Sequence, residues 1–194
     1  MKVVLIGYRA AGKSTVGKLL AAKMNVPFWD ADLLLEERLG MPIKEIVASH
    51  GWNYFRAREK EIIQKLAQKG SGVIATGGGV VLAQDNIDLL KENGFVVWLN
   101  APLHEIIGRL QEDAHNGALR PQFTAGNLAS ETTDVWKQRF PLYEKAADIS
   151  LATAGKSALQ VADEIYQYLL QSDAWAQSGK NGKEIGSRQS ATGD

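Results

Sequence analysis

The 194-residue sequence contains no cysteine. That excludes disulfides, thiolate metal sites and a cysteine nucleophile. It also lacks an excess of either charge: 22 Lys and Arg face 22 Asp and Glu, a formal net charge of zero. No overall basic field therefore recommends nucleic acid or an anionic membrane as a partner. No apolar run approaches the roughly 20 residues needed to span a bilayer. The first apolar run is short and leads directly into a glycine-containing loop, so no signal peptide is expected and a cytoplasmic protein is the default reading. Three histidines, His50, His104 and His115, show no metal-ligand spacing. What remains is 45% hydrophobic, enough for one domain with a substantial core.

Short apolar runs alternate with helical patterns. Strand candidates are residues 2–6 (KVVLI), 26–29 (VPFW), 72–76 (GVIAT), 95–99 (FVVWL) and 148–152 (DISLA). Such strands separated by helices predict a parallel sheet covered on both faces. Ligands should then gather beyond the C-terminal strand ends. Four groups of polar or glycine residues fall there: Gly7–Thr15, Asp30–Asp32, Gly77–Gly79 and the loop after residue 110. No internal repeat or second domain is evident, so residues 1–172 read as one domain. From residue 173 the chain loses periodicity and becomes rich in Ser, Gly and charge, which predicts a disordered tail over 173–194.

The most specific motif is GYRAAGKST, residues 7–15, with the spacing G-x-x-x-x-G-K-[ST]. A loop between a buried strand and a helix can turn its backbone N–H groups inward, and with the helix N-terminus they form a cradle for phosphates. Gly7 and Gly12 permit conformations and close approaches that a side chain obstructs. Lys13 can reach the β- and γ-phosphates, and the Ser14 hydroxyl is placed to ligate Mg²⁺. Ala10, Ala11 and Thr15 complete the loop.

Asp30-Ala31-Asp32 closes the second strand. Two carboxylates near a phosphate loop can divide two tasks. One can support Mg²⁺ through water, while the other accepts a hydrogen bond or proton from a substrate hydroxyl. An Asp before a helix can equally be its N-cap. Gly77, Gly78 and Gly79 follow a buried strand. Three glycines there cost conformational entropy, and close backbone approach to a ligand gives a reason for them. A tight strand-to-helix turn is the plainer alternative. The third strand lacks the acidic residue of a common Walker-B pattern, leaving Asp30 as the nearest motif carboxylate for Mg²⁺.

Arginine placement adds a third signal. Arg56 and Glu59 stand three apart on a predicted helix, close enough to pair. Arg139 lies in QRFPLYEKAAD, and Arg120 in a loop containing glycine and proline. A guanidinium suits a carboxylate or phosphate because its planar fork donates two parallel bonds.

Taken in order, GYRAAGKST, DAD, GWNYFRAREKE, TGGGVV, LRP and RFPLYEKAAD make residues 1–170 resemble the shikimate kinase family throughout. The resemblance implies a three-layer α/β/α P-loop kinase of about five parallel strands, with a helical substrate-binding region and a mobile lid. It implies ATP-dependent phosphorylation of the 3-hydroxyl of shikimate on the route to chorismate and the aromatic amino acids, with Mg²⁺, in a monomer. By position, Asp32 matches the residue that binds the substrate hydroxyls, and Asp30 the one that reaches Mg²⁺ through water. Arg56 and Arg139 match the pair that holds the substrate carboxylate, and Gly77–Gly79 the run that approaches the substrate. Arg120 matches the lid arginine, and Lys156 a basic residue near the adenine. Ala10 stands where the family often has glycine, Trp52 where it often has an acidic residue, and Gln122 and Phe123 where leucines are usual. Two other classes share parts of the pattern. A kinase for a different small metabolite, such as gluconate, needs no arginine pair. A non-catalytic nucleotide-binding module could dispense with Asp32.

Overall fold

A computed structural model describes residues 1–115 and 127–172. Arg120 and the tail 173–194 lie outside these residues, as do Gln122, Phe123 and Trp175.

The strands are β1 (Lys2–Ile6), β2 (Phe28–Asp30), β3 (Gly72–Ala75), β4 (Gly94–Asn100) and β5 (Ile149–Ala152). They form one sheet in the order β2-β3-β1-β4-β5, every neighbouring pair parallel. The helices are α1 (Lys13–Met24), α2 (Ala31–Leu39), α3 (Ile43–Ala67), α4 (Gln84–Lys91), α5 (Leu103–His115), α6 (Leu128–Ala146) and α7 (Ala158–Gln171). A 3₁₀ turn over Val80–Leu82 precedes α4. This is the expected α/β fold with five parallel strands.

Both faces of the sheet centre are covered, which explains why its strands read as continuous apolar runs rather than alternating ones. Val3, Val4, Leu5 and Ile6 are all fully buried, each contributing roughly 1.5–3 kcal/mol by leaving water. α1 buries Val16, Leu20, Ala21 and Met24 at helical spacing and packs against α7 and β3. Gly17 lets it approach β2, because a Cβ there would lie 2.5 Å from the Phe28 ring.

Beyond one-residue differences at the ends of β3, β4 and β5, two local features were not expected. β2 runs over 28–30 rather than 26–29, because Val26 N–H is spent on the carbonyl of Ala21 at the end of α1. Pro27 has no N–H to offer and only accepts, from Val73. α3 is two helices end to end, broken at Gly51 (φ 80°, ψ 171°). The break lets residues 52–67 take a new direction and carry Arg56 and Glu59 toward the sheet.

The register decides where the motifs emerge. Asp30 stands opposite Ala75, Ala75 opposite Leu5, and Leu5 opposite Val97. Asp32, Gly77 and Gly7 are each two residues beyond that common level. Three motifs distant in sequence therefore leave the sheet at one height, on one edge.

Candidate active site

The loop after β1 has the backbone that a phosphate cradle requires. Gly7 (φ 143°) and Gly12 (φ 89°) occupy the left-handed half of backbone space. A Cβ on Gly7 would also lie 2.7 Å from the carbonyl oxygen of Leu99. Ala10 adopts φ 61°, a conformation that costs a non-glycine residue roughly 1–2 kcal/mol. A glycine at that place would avoid the cost. Lys13 is buried and folded across the loop, its Nζ donating to the carbonyls of Gly7 (2.9 Å) and Tyr8 (2.8 Å).

Beside the loop, the Ser14 hydroxyl donates to Asp30 Oδ2 at 2.5 Å. The other oxygen of Asp30 accepts from the backbone N–H groups of Asp32 (3.0 Å) and Leu33 (3.3 Å), so Asp30 is the N-cap of α2. The two readings of this aspartate are therefore compatible: one oxygen caps, the other faces the phosphate loop. Ser14 and Asp30 together present hard oxygen donors at a helix N-terminus, a set that fits Mg²⁺. Among the described residues no cluster of three or more His, Cys, Asp or Glu could hold a metal by itself.

The glycine run is packed on three sides, and each glycine faces a different group. A Cβ on Gly77 would lie 2.7 Å from Asp32 Oδ1 and 2.8 Å from Glu59 Oε1. On Gly78 it would lie 2.8 Å from the backbone nitrogen of Arg9. On Gly79 it would lie on the Arg56 guanidinium. Close approach, not turn geometry, accounts for these residues, since none of the three has a positive φ in the left-handed range.

Arg56 is held by Glu59 (Nη1 to Oε2, 2.6 Å), as their spacing on one helix predicts, and by the rings of Trp52 and Phe55. Burial pushes the Glu59 carboxyl above its usual value, Asp32 adds to that, and Arg56 partly offsets it. Its Oε1 makes no hydrogen bond among the described residues. From the opposite side, Arg139 donates to the Gly78 carbonyl at 3.0 Å, and Tyr143, one helical turn later on α6, donates to the same oxygen at 2.5 Å. Burial lowers the pKa of Arg139, and the nearby Arg56 charge lowers it further. Two guanidinium groups on different helices thus repel each other across a glycine turn. An anion between them relieves that repulsion.

A cavity of about 370 Å³ adjoins the loop on its other side, lined by Ala11, Gly12, Thr15, Arg109, Thr153 and Lys156 among others. Lys156 does reach this cavity, but its Nζ is paired with Glu164 at 2.6 and 2.9 Å. Arg109 was not a sequence candidate. It donates to the Ala10 carbonyl at 3.1 Å and to Glu105 at 2.8 Å. Its Glu–Arg spacing of four reads from sequence as an ordinary surface helix pair, which hid it. Tyr8 and Tyr143 were not sequence candidates either. His50 stacks on Tyr54, and His115 contacts the Gln111 carbonyl.

The family model for shikimate kinase matches residues 9–170. The shikimate kinase of Syntrophus aciditrophicus is 39% identical over 171 residues, covering 84% of this chain and 88% of the relative. That of Moorella thermoacetica is 40% identical over 176 residues, covering 91% and 96%. Among solved structures, shikimate kinase from Acinetobacter baumannii in complex with shikimate superposes with a TM-score of 0.81 at 32% identity, covering 87% of this chain and 92% of that one. Shikimate kinase from Aquifex aeolicus gives 0.73 at 30%, covering 88% and 96%. A match of this extent, together with a phosphate loop and an arginine pair meeting at one sheet edge, places the chain in the shikimate kinase family.

Proposed function

We propose that this chain transfers the γ-phosphoryl group of ATP to the 3-hydroxyl of shikimate, giving shikimate 3-phosphate and ADP, and that its residues divide the work as follows. The observation that carries the assignment is the pair Arg56 and Arg139, set on two helices against Gly78 and Gly79. A carboxylate on the acceptor satisfies both guanidinium groups at once. With that end fixed, the acceptor hydroxyl is directed toward Asp32, which lies beside Gly77 and serves as hydrogen-bond acceptor or base. Gly77–Gly79 leave the space the ring needs.

On the nucleotide side, the N–H groups of residues 10–15 and Lys13 bind the phosphates. Ser14, with Asp30 behind it, would hold Mg²⁺, which would supply neutralisation of the phosphate charge. The cavity lined by Arg109 and Lys156 takes the nucleobase. Arg120, by its place in the family pattern, closes on the phosphates. Phosphoryl transfer needs alignment and charge neutralisation more than covalent chemistry, and these residues supply both. The remote carboxylate contacts are converted into rate by holding the hydroxyl in line. One copy of the chain carries every residue assigned, so the reading is of a monomer, and its proposed place is the cytoplasm. Residues 1–172 do the work, and 173–194 are dispensable.

Two substitutions test the division. Lys13→Ala should abolish turnover. Arg139→Ala should weaken shikimate binding and leave ATP binding largely intact. An Arg139→Ala enzyme that loses ATP affinity while keeping shikimate affinity would put that residue in the wrong half of the site.

A further inference from the structure

Tyr143 meets the acceptor half of the site from behind. It stands four residues after Arg139 on α6, so both side chains leave the same face of that helix. Its ring is only 1% exposed and stacks on Trp98 of β4, with centroids 5.8 Å apart and planes 21° from parallel. A buried phenol is costly unless its hydroxyl is bonded. Here the hydroxyl donates to the Gly78 carbonyl at 2.5 Å, and Arg139 Nη1 donates to the same oxygen at 3.0 Å. A carbonyl oxygen has two lone pairs, and each has a donor. Burial raises the Tyr143 pKa above its usual value, so the hydroxyl keeps its proton and stays a donor at neutral pH.

That carbonyl belongs to the softest stretch of the acceptor site. Gly77, Gly78 and Gly79 have no side chains of their own to anchor the turn. The peptide joining Gly78 to Gly79 is trans and planar. Its N–H therefore points opposite to its carbonyl, away from α6. At its far end the Gly79 α-carbon lies against the Arg56 guanidinium, which leaves no room for a Cβ there. One peptide thus has Arg139 on its carbonyl and Arg56 against its next α-carbon, and turning it moves the seats of both arginines together. Arg139 is a poor sole anchor for this peptide, because a guanidinium drawn toward the carbonyl is drawn away from a bound carboxylate. The Tyr143 hydroxyl has no second task, and its ring is fixed by packing.

We infer that Tyr143 is a positioning residue for the acceptor: its hydroxyl fixes the Gly78–Gly79 peptide, and through that peptide the places of Arg139 and Arg56 around the acceptor carboxylate. It acts through these groups and not on the reacting atoms. Its contact is with the carbonyl of Gly78, whereas the phosphate loop meets that residue at its α-carbon. The effect should therefore fall on the acceptor and spare the nucleotide. The inference rests on the assignment of shikimate as acceptor.

The test is steady-state kinetics on full-length Tyr143→Phe, which keeps the ring and its stack on Trp98 and removes only the hydroxyl. The KM for shikimate should rise about 3- to 10-fold, the net worth of about one hydrogen bond. The KM for ATP should stay within twofold of wild type. A folded Tyr143→Phe enzyme whose shikimate KM is also within twofold overturns the inference, even if its thermal midpoint falls, because the bond is then only structural. An ATP KM raised as far as the shikimate KM overturns it as well, since the hydroxyl then supports the whole site. If Tyr143→Phe does not fold, Trp98→Phe shrinks the surface on which the tyrosine ring rests, and the same two constants are read. A rise confined to shikimate supports the inference there, and no change overturns it. Failure of wild-type protein to form ADP with shikimate would instead refute the functional assignment.

Discussion

Gly79→Ala and Gly78→Ala add the same methyl group one residue apart, and the structure separates their consequences. At Gly79 the new carbon would collide with the end of the Arg56 side chain. That guanidinium is 26% exposed and can swing outward. The fold should therefore survive, while Arg56 loses its place and its 2.6 Å bond to Glu59. A hydrogen bond to a charged partner is worth about 1.5–3 kcal/mol, and 1.4 kcal/mol is tenfold in affinity, so the KM for shikimate should rise about 10- to 100-fold. The KM for ATP should stay near the wild-type value. At Gly78 the new carbon meets the backbone nitrogen of Arg9 at 2.8 Å, which cannot rotate away. Overpacking of this kind costs about 1–3 kcal/mol, a fall of about 2–12 °C in Tm for a domain of this size. Turnover should also fall, because the displaced backbone belongs to the phosphate loop. Steady-state kinetics and a thermal melt on both variants are enough. A Gly79→Ala protein less stable than Gly78→Ala, with an unchanged shikimate KM, would refute the reasoning.

Asp32→Asn should lower kcat by about 10²–10⁴-fold, the usual range for general acid–base groups, with nucleotide binding retained; normal turnover in a folded variant would remove Asp32 from the site. Asp30→Asn should instead raise the Mg²⁺ concentration needed for half-maximal rate with little change in Tm, since Asn caps helices as well as Asp does. Glu59 has a folded pKa above its usual value of 4.5. Its stability contribution is therefore full below that value and is lost as pH rises through the raised one. Glu59→Gln stays neutral, so the Tm difference between variant and wild type should shift in the variant's favour as pH rises from 4 to 8. A shift in the opposite direction in melts across that range would contradict the burial argument.

Much of this was legible in the sequence because the relevant signals are local. The phosphate loop, the strand count and the Arg56–Glu59 pair each depend on spacings within a few residues. β2 was misplaced by two residues because Val26 looks like a strand residue, yet its N–H belongs to the end of α1. The break at Gly51 was also hidden, since a glycine inside a helical pattern does not announce which conformation it takes. Contacts across the sheet edge were out of reach altogether. Tyr143 on the Gly78 carbonyl, Arg109 on the Ala10 carbonyl and Glu131 on Arg9 join residues 65, 99 and 122 apart in the chain. Only the packing of α5 and α6 against the loops after β1 and β3 brings such groups together. The three glycines were read as close approach to a ligand, whereas the groups that face them in the fold are Asp32 and Glu59, the Arg9 backbone and Arg56.

The central claim is that Arg56 and Arg139 hold the acceptor carboxylate while Asp32 takes its ring hydroxyls, a joint geometry that favours shikimate over other hydroxylated acids. A coupled assay of ADP formation over a panel of hydroxylated acids tests it most directly, with shikimate, quinate and gluconate at equal millimolar concentrations. The account predicts rapid shikimate-dependent ADP release, with quinate and gluconate much poorer. Equal turnover with gluconate, or none with shikimate, would contradict it.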